Sequence, residues 1–139
     1  MKLTVDSDKV SLLTEILESH GLSFSNISFV NVLLSDMAFF PRLNAVYGKY
    51  YGVSPPARAC IAAYLPEKVN IRLDCLAYRE ESPFDRRAIH VQGLSYWAPA
   101  NIGPYSQAIT VRFVIRLCSA YIYDFNRLTK GYLYLVRSA

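Results

Sequence analysis

Apolar residues near the N-terminus recur at the spacing of one helical face. The stripe runs from Val10 to Leu17. Acidic and hydroxyl side chains at residues 6–8 can cap the start of a helix, and Gly21 can end it in a left-handed conformation. The pattern therefore predicts an amphipathic helix over residues 8–20.

A strand and a second helix are predicted next. Residues 27–34 are rich in β-branched and apolar side chains and are short enough for a strand that is buried on at least one face. Asp36 then offers a helix cap, and a second apolar stripe at helical spacing predicts a helix over residues 40–51. Pro41 fits only its first turn, and Gly52 with the prolines beyond it would end it.

Two more strands complete the first half of the chain. Residues 58–64 have strand character, and apolar side chains alternate with polar ones over residues 69–78, as on a strand with one packed face. The order helix, strand, helix, strand, strand predicts an α+β sandwich in which both helices cover one face of the sheet.

The second half of the chain is less regular. Residues 80–87 are charged, contain Pro83 and lack periodicity, so they are interpreted as a linker. Residues 108–114 and 115–125 have the composition of two further strands.

Composition favours an ordinary intracellular domain. The chain has 139 residues, 53% of them hydrophobic, which is enough for a sizeable core. It lacks an apolar run of membrane-spanning length and a secretory signal pattern, so we expect a soluble cytoplasmic protein with no membrane partner. Cys60, Cys75 and Cys118 are widely spaced, and the only histidines are His20 and His90, which predicts neither a disulfide framework nor a metal site.

The net charge of +4 is confined to the C-terminal tail. Residues 112–139 carry all of the excess, and residues 1–111 are balanced. A basic tail is weak support for a nucleic-acid surface, which needs a basic face on the folded unit.

The run from Ala88 to Ala108, which contains Gly103-Pro104-Tyr105-Ser106-Gln107, resembles the opening of a Rid/YjgF domain. It follows a segment that resembles the closing half of the same family. This order resembles the paired Rid-like modules behind the ATP-binding domain of diphthine–ammonia ligases. The predicted division is a closing part of a first module (1–80), a linker (81–88), the start of a second module (89–111) and a divergent basic tail (112–139).

The resemblance implies a chorismate-mutase-like sandwich, with two helices packed on one face of a mixed sheet. It is expected to be incomplete, because no opening hairpin precedes the first module. A strand edge without its hairpin invites association. The family expectation is a trimer, and pairing of Rid-like modules within one chain is the alternative.

The same resemblance implies a substrate-binding site. Arg58 and Cys60, in Pro56-Ala57-Arg58-Ala59-Cys60, match the family context in which an arginine holds a carboxylate, for which a planar guanidinium is suited. Asn44 matches an asparagine near the pocket, and Tyr105 a tyrosine that lines it. Taken without the family, Arg58 could be a structural strand-start arginine, Cys60 a buried apolar side chain, Asn44 an exposed helix residue and Tyr105 a ring packed in a turn.

One departure argues against catalysis. Deaminating relatives carry a glutamate in the last strand, where this sequence has Arg72. A guanidinium is no acid or base near neutral pH, and Asp74 on the same face has a shorter reach. The expectation is that the chain contains no catalytic residue.

Three functions are compatible with these features of the sequence. The first is the Rid-like part of a diphthine–ammonia ligase, which the resemblance implies would use ATP and act on elongation factor two through another domain. No glycine-rich phosphate loop occurs in the sequence, so no cofactor is expected in this chain, and its ligand would be a small carboxylate. The second is a stand-alone enamine/imine deaminase, and the third is an RNA-binding protein or ribonuclease.

The tail carries a separate hypothesis. Val111-Arg112, Leu128-Thr129 and Leu135-Val136 can be encoded through intron donor, branch and acceptor sequences. Residues 112–139 would then be a translated intron.

Overall fold

The computed structural model of this protein describes residues 7–96, 99–111, 114–117 and 133–137. Two helices and seven strands are assigned within these ranges. In chain order they are α1 (Ser7–Ser19), β1 (Ile27–Leu34), α2 (Phe40–Tyr47), β2 (Ala57–Ala62), β3 (Ile71–Tyr78), β4 (Arg86–Ile89), β5 (Ala108–Val111), β6 (Val114–Leu117) and β7 (Leu133–Arg137).

The first sheet is mixed and has the order β2-β1-β3-β7. β1 pairs with β2 in parallel, so that Val30 lies beside Arg58, and it pairs with β3 in antiparallel register, so that Val30 also lies beside Cys75. β7 adds to the other side of β3. The mixed sheet and the α+β class agree with the prediction.

Both helices pack on one face of this sheet, also as predicted. Leu17 of α1 and Leu43 of α2 share a buried cluster with Val30 and Val32 of β1 and Cys75 of β3. Each of these side chains is at most 3% exposed. Because alternate strand residues point to the same side, the apolar positions of β1 and β3 form one continuous surface under the helices.

A second sheet covers part of the opposite face. It has the order β4-β5-β6. Ile109 and Val111 of β5 join Ala57 and Tyr78 in a buried cluster, with Phe29 packed against it. Phe29 alternates with the helix-facing residues of β1, so this cluster lies on the side of the sheet away from the helices.

The predicted boundaries of the first half hold, with one correction. α1, β1, β2 and β3 lie within two residues of their predicted ends. Gly21 has a φ of 64°, as a left-handed helix end requires. Asp36 caps the short 3₁₀ helix Met37–Phe39 that leads into α2, accepting a hydrogen bond from the Ala38 amide at 2.8 Å, whereas α2 itself begins without a side-chain cap. The helix expected to reach Tyr51 ends at Tyr47, because the backbone beyond it turns through i to i+3 hydrogen bonds.

A strand that the sequence did not predict begins within the segment interpreted as a linker. Residues 86–89 form β4, which pairs with β5 and places Arg86 beside Val111. A four-residue edge strand offers too few positions for its alternation to be recognised. In the tail, β6 pairs with β5 and β7 with β3, and the rest of residues 112–139 lies outside the described ranges. The division into modules and the intron hypothesis stay predictions.

Candidate functional site

Arg58 lies at the start of β2 with its side chain buried beneath α2. Its neighbour in register, Val30, belongs to the helix-facing cluster, which places the Arg58 side chain on the same side of the sheet. The residue is only 2% exposed. An arginine so deeply buried must be surrounded by groups that compensate for its lost hydration.

Three aromatic rings enclose the guanidinium. Its Cζ lies 5.4 Å from the ring centroid of Phe40, 4.8 Å from that of Tyr47 and 5.0 Å from that of Tyr105. Each such contact attracts the cation to the electron-rich ring face, by about 0.5 kcal/mol when exposed and about 2 kcal/mol when desolvated. We call Arg58 and these three rings the arginine cage.

The Asn44 amide lies against the same guanidinium. A β-carbon placed on Gly103 would stand 2.9 Å from Arg58 Nη2, 3.1 Å from Asn44 Nδ2 and 3.3 Å from Asn44 Oδ1. The Arg58 and Asn44 side chains therefore occupy the space that a Gly103 side chain would need, and a larger residue would have to displace one of them. Asn44 Oδ1 is buried and accepts no hydrogen bond from the described part of the chain.

Ser106 brings Tyr105 from the second half of the chain to the cage. Its amide donates to Pro56 O at 3.0 Å, and its buried hydroxyl donates to Pro55 O at 2.5 Å. A parallel bridge also pairs Ser106 with Ala57. These contacts hold the Gly103-Pro104-Tyr105 turn against the strand that carries Arg58, so both halves of the chain build the cage.

The structure thus brings together Arg58, Asn44 and Tyr105, three of the four residues predicted for the site. Cys60, the fourth, lies two residues beyond Arg58 on the same side of β2, partly buried against the helix-facing cluster. Their role in binding stays a prediction. Gly103 was missed as a contact residue, although the Gly-Pro pair before Tyr105 is a turn signal.

Burial makes both described cysteines poor nucleophiles. Desolvation raises the pKa of the Cys60 thiol, although the nearby Arg58 charge opposes the rise. Desolvation raises the pKa of Cys75 to about 12. Since the thiolate is the reactive form, neither residue has the features of a catalytic cysteine.

The rates at which the two thiols are alkylated should follow these pKa shifts. We expect Cys60 to react with iodoacetamide more slowly than free cysteine at pH 7.5 and to react faster as the pH is raised above 9. At every pH, Cys60 should react faster than Cys75. Peptide mapping by mass spectrometry, with N-acetylcysteine as the control, measures both rates. Cys60 reacting at neutral pH as fast as the control would contradict the expectation.

Arg72 and Asp74 lie away from the arginine cage. They stand opposite Leu33 and Asn31 of β1, which alternate with the helix-facing residues, so both point to the other side of the sheet. Arg72 Nε donates to Asp74 Oδ1 at 3.4 Å. Within this chain, Asp74 is therefore not positioned to act on a molecule held by Arg58.

Arg86 is a structural residue that the sequence interpretation missed. Its guanidinium donates to the carbonyl oxygens of Ser25, Ile27 and Ser54, at 2.5, 3.0 and 3.2 Å respectively. Glu80 lies 3.6 Å away as an ion-pair partner. Burial lowers the pKa of Arg86, and Glu80 opposes that change. The side chain clamps the second sheet to the loops that precede β1 and β2.

The described residues contain no cluster of three or more histidine, cysteine or acidic side chains arranged as metal ligands. In the same ranges, no helix is long and apolar enough to cross a membrane. Tyr96 and Pro99 are exposed, and Trp97 lies outside the described residues.

This chain is similar to one protein family model, to two long ligases and to a shorter protein. The sequence model of the endoribonuclease L-PSP family matches residues 7–79. A diphthine–ammonia ligase of Schizosaccharomyces pombe is 45% identical over 107 residues, covering 76% of this chain and 17% of that ligase, and the Saccharomyces cerevisiae ligase is 35% identical over 119 residues with the same coverage. A RutC family protein of Pyrococcus horikoshii is 41% identical over 66 residues, covering 47% of this chain and 52% of that protein. The chain thus spans about a sixth of the ligases and about half of the shorter relative.

Proposed function

The chain belongs to the endoribonuclease L-PSP family, and we propose that it is a non-catalytic, carboxylate-binding part of the Rid-like region of a diphthine–ammonia ligase. In that setting, the ATP-dependent amidation of diphthine on elongation factor two belongs to another domain. We expect the protein to act in the cytoplasm.

The lengths of the matches support the ligase assignment. The RutC relative aligns over 66 residues and about half of its own length, as expected if the chain holds one half of a single module. The ligase alignment reaches 107 residues, more than the family match over residues 7–79 can contain. It therefore extends into the second, Rid-like opening.

The observation that carries the binding proposal is the approach of Arg58 and Asn44 to one point beside Gly103. Arg58 Nη2 and Asn44 Nδ2 are both donors, and both lie within about 3 Å of that point. A carboxylate oxygen at that point, which the Gly103 backbone would have to leave clear, could accept from both. Asn44 Oδ1 would favour a ligand with a hydroxyl or amino donor beside its carboxylate, because buried acceptors cost free energy when unsatisfied.

Completion of the cage supports module pairing within one chain. Tyr105 and Gly103 come from the second half of the sequence and meet Arg58 and Asn44 from the first. A second copy is therefore not needed to place a tyrosine over Arg58.

Titration with L-lactate, followed by NMR of the isotope-labelled chain, tests the binding proposal. We expect the Arg58 Nε–H and Asn44 side-chain amide signals to shift together. Acetate, which lacks the hydroxyl, should bind about two- to tenfold more weakly, the equivalent of one hydrogen bond. Lactamide lacks the carboxylate charge and should not bind measurably, and equal shifts with lactamide would refute the proposal.

The transcript tests the ligase assignment separately. We expect sequencing through both ends of this reading frame to find an upstream ATP-binding domain and a resumed second module. A start codon at Met1 preceded by in-frame stops, with a stop codon after Ala139, would overturn it.

A further inference from the structure

The Gly103-Pro104-Tyr105 turn closes the arginine cage. The Tyr105 ring covers the guanidinium, Gly103 lies so close that a β-carbon on it would stand 2.9 Å from Nη2, and Arg58 is left 2% exposed. In this arrangement a carboxylate has no direct path to Arg58. A ligand must displace the turn first.

The Gln107 side chain braces this turn from behind. Its Oε1 accepts from the Val91 amide at 2.9 Å, and its Nε2 donates to Val91 O at 2.9 Å and to Pro99 O at 2.8 Å. The amide thus uses both its donor and its acceptor to hold Val91 and Pro99 beside Gln107. A carboxamide does this well because it carries both functions in one plane.

Two further side chains extend the brace to Tyr105. The Asn101 amide donates to Tyr105 O at 2.7 Å, and His90 Nδ1 lies 3.2 Å from the same oxygen. The Asn101 backbone amide donates to Val91 O, the oxygen that Gln107 also binds. A continuous set of hydrogen bonds therefore runs from Gln107 to the residue whose ring covers Arg58.

We propose that Gln107 is a positioning residue that holds the Gly103-Pro104-Tyr105 turn closed over Arg58 and so limits access of carboxylates to the guanidinium. The inference rests on the proposed function. If only the open form binds, the apparent affinity falls with the fraction of open molecules. Weakening the brace should therefore raise the affinity, whereas damage to a binding group would lower it.

The test is Gln107→Glu in the full chain. A carboxylate cannot donate to Val91 O or Pro99 O, so the brace loses two hydrogen bonds and gains repulsion. We expect the Arg58 Nε–H resonance to lose part of the ring-current shift caused by Tyr105, and L-lactate to bind at least threefold more tightly with a faster association rate. Gln92→Glu, at an exposed position of the same segment, adds the same charge. It should change neither the Arg58 Nε–H shift nor the binding of L-lactate.

Lowering the pH distinguishes the loss of the Gln107 hydrogen bonds from a general loosening of the fold. A protonated glutamate regains a donor beside an acceptor, so lowering the pH through its pKa should restore the Arg58 Nε–H shift. The ratio of the variant's lactate affinity to that of the parent should return toward one. Protonation of lactate itself affects both proteins equally and cancels from this ratio.

The two proposals fail in different ways. An unchanged Arg58 Nε–H shift, or weaker lactate binding by Gln107→Glu, would overturn the positioning role. A relaxed shift that recovers in acid, with no lactate binding by either protein, would support the closure of the turn by Gln107 and refute the proposed function.

Discussion

Arg58→Met is expected to abolish measurable L-lactate binding while leaving the free energy of unfolding within about 1 kcal/mol of the parent value. The guanidinium is the charged group of the cage, and its loss removes both the attraction and the bidentate geometry that a carboxylate needs. Stability should survive because methionine fills a similar volume and its thioether packs well against the rings of Phe40, Tyr47 and Tyr105. The lost cation–π attraction is offset by the desolvation cost that the buried guanidinium carries and that methionine does not.

Arg42→Met is the matched control for this prediction. It removes the same charge from an exposed position on α2 and should change the lactate affinity by less than about twofold. NMR titration gives the affinities and urea denaturation the stabilities. Retention of binding by Arg58→Met, or an equal loss in Arg42→Met, would remove Arg58 from the site.

Arg86→Met should be the most destabilising single substitution among the described arginines, at about 3 kcal/mol. Three backbone carbonyls, from Ser25, Ile27 and Ser54, lose a charged donor. The clamp between the second sheet and the loops before β1 and β2 is lost with them. We therefore also expect the Tyr105 contribution to the Arg58 Nε–H shift to decrease.

Arg87→Met provides the comparison at the next position of the same strand. Arg87 is exposed on β4, and surface substitutions of this kind usually change stability by less than about 0.5 kcal/mol. Urea denaturation of both variants measures the difference. Equal midpoints would mean that Arg86 does not clamp the second sheet.

Local patterns were sufficient for three of the four strands of the first sheet and, apart from the end of α2, for its helices. The stripe ending at Leu17 and the apolar run of 27–34 identified α1 and β1 because periodicity reports directly on which side of an element is buried. The same method failed at Arg86, where one charged side chain is held by carbonyls far away in sequence. Sequence patterns carry no signal for partners of that kind.

The candidate site was only partly predictable. Family motifs pointed to Arg58, Asn44 and Tyr105, but two of them lie in the first half of the chain and one in the second. Whether Tyr105 would reach Arg58 depended on where the second sheet docks, which no local pattern encodes. The sequence disfavoured Asp74 as a substitute for the family's glutamate because of its shorter reach, and the strand register also separates it from the cage by placing it on the other face.

By itself, the sequence determined the α+β class, the helix-facing core and the family, since each depends on local periodicity or on a contiguous motif. Tertiary structure decided that Ser106 docks on Pro55 and Pro56, that Tyr105 covers Arg58 and that Gln107 braces the turn between them. The physical reason is range: the Ser106 and Tyr105 contacts join residues some fifty positions apart, and the Gln107 hydrogen bonds join residues 16 and 8 positions apart, so all of them exist only once the chain has folded back on itself.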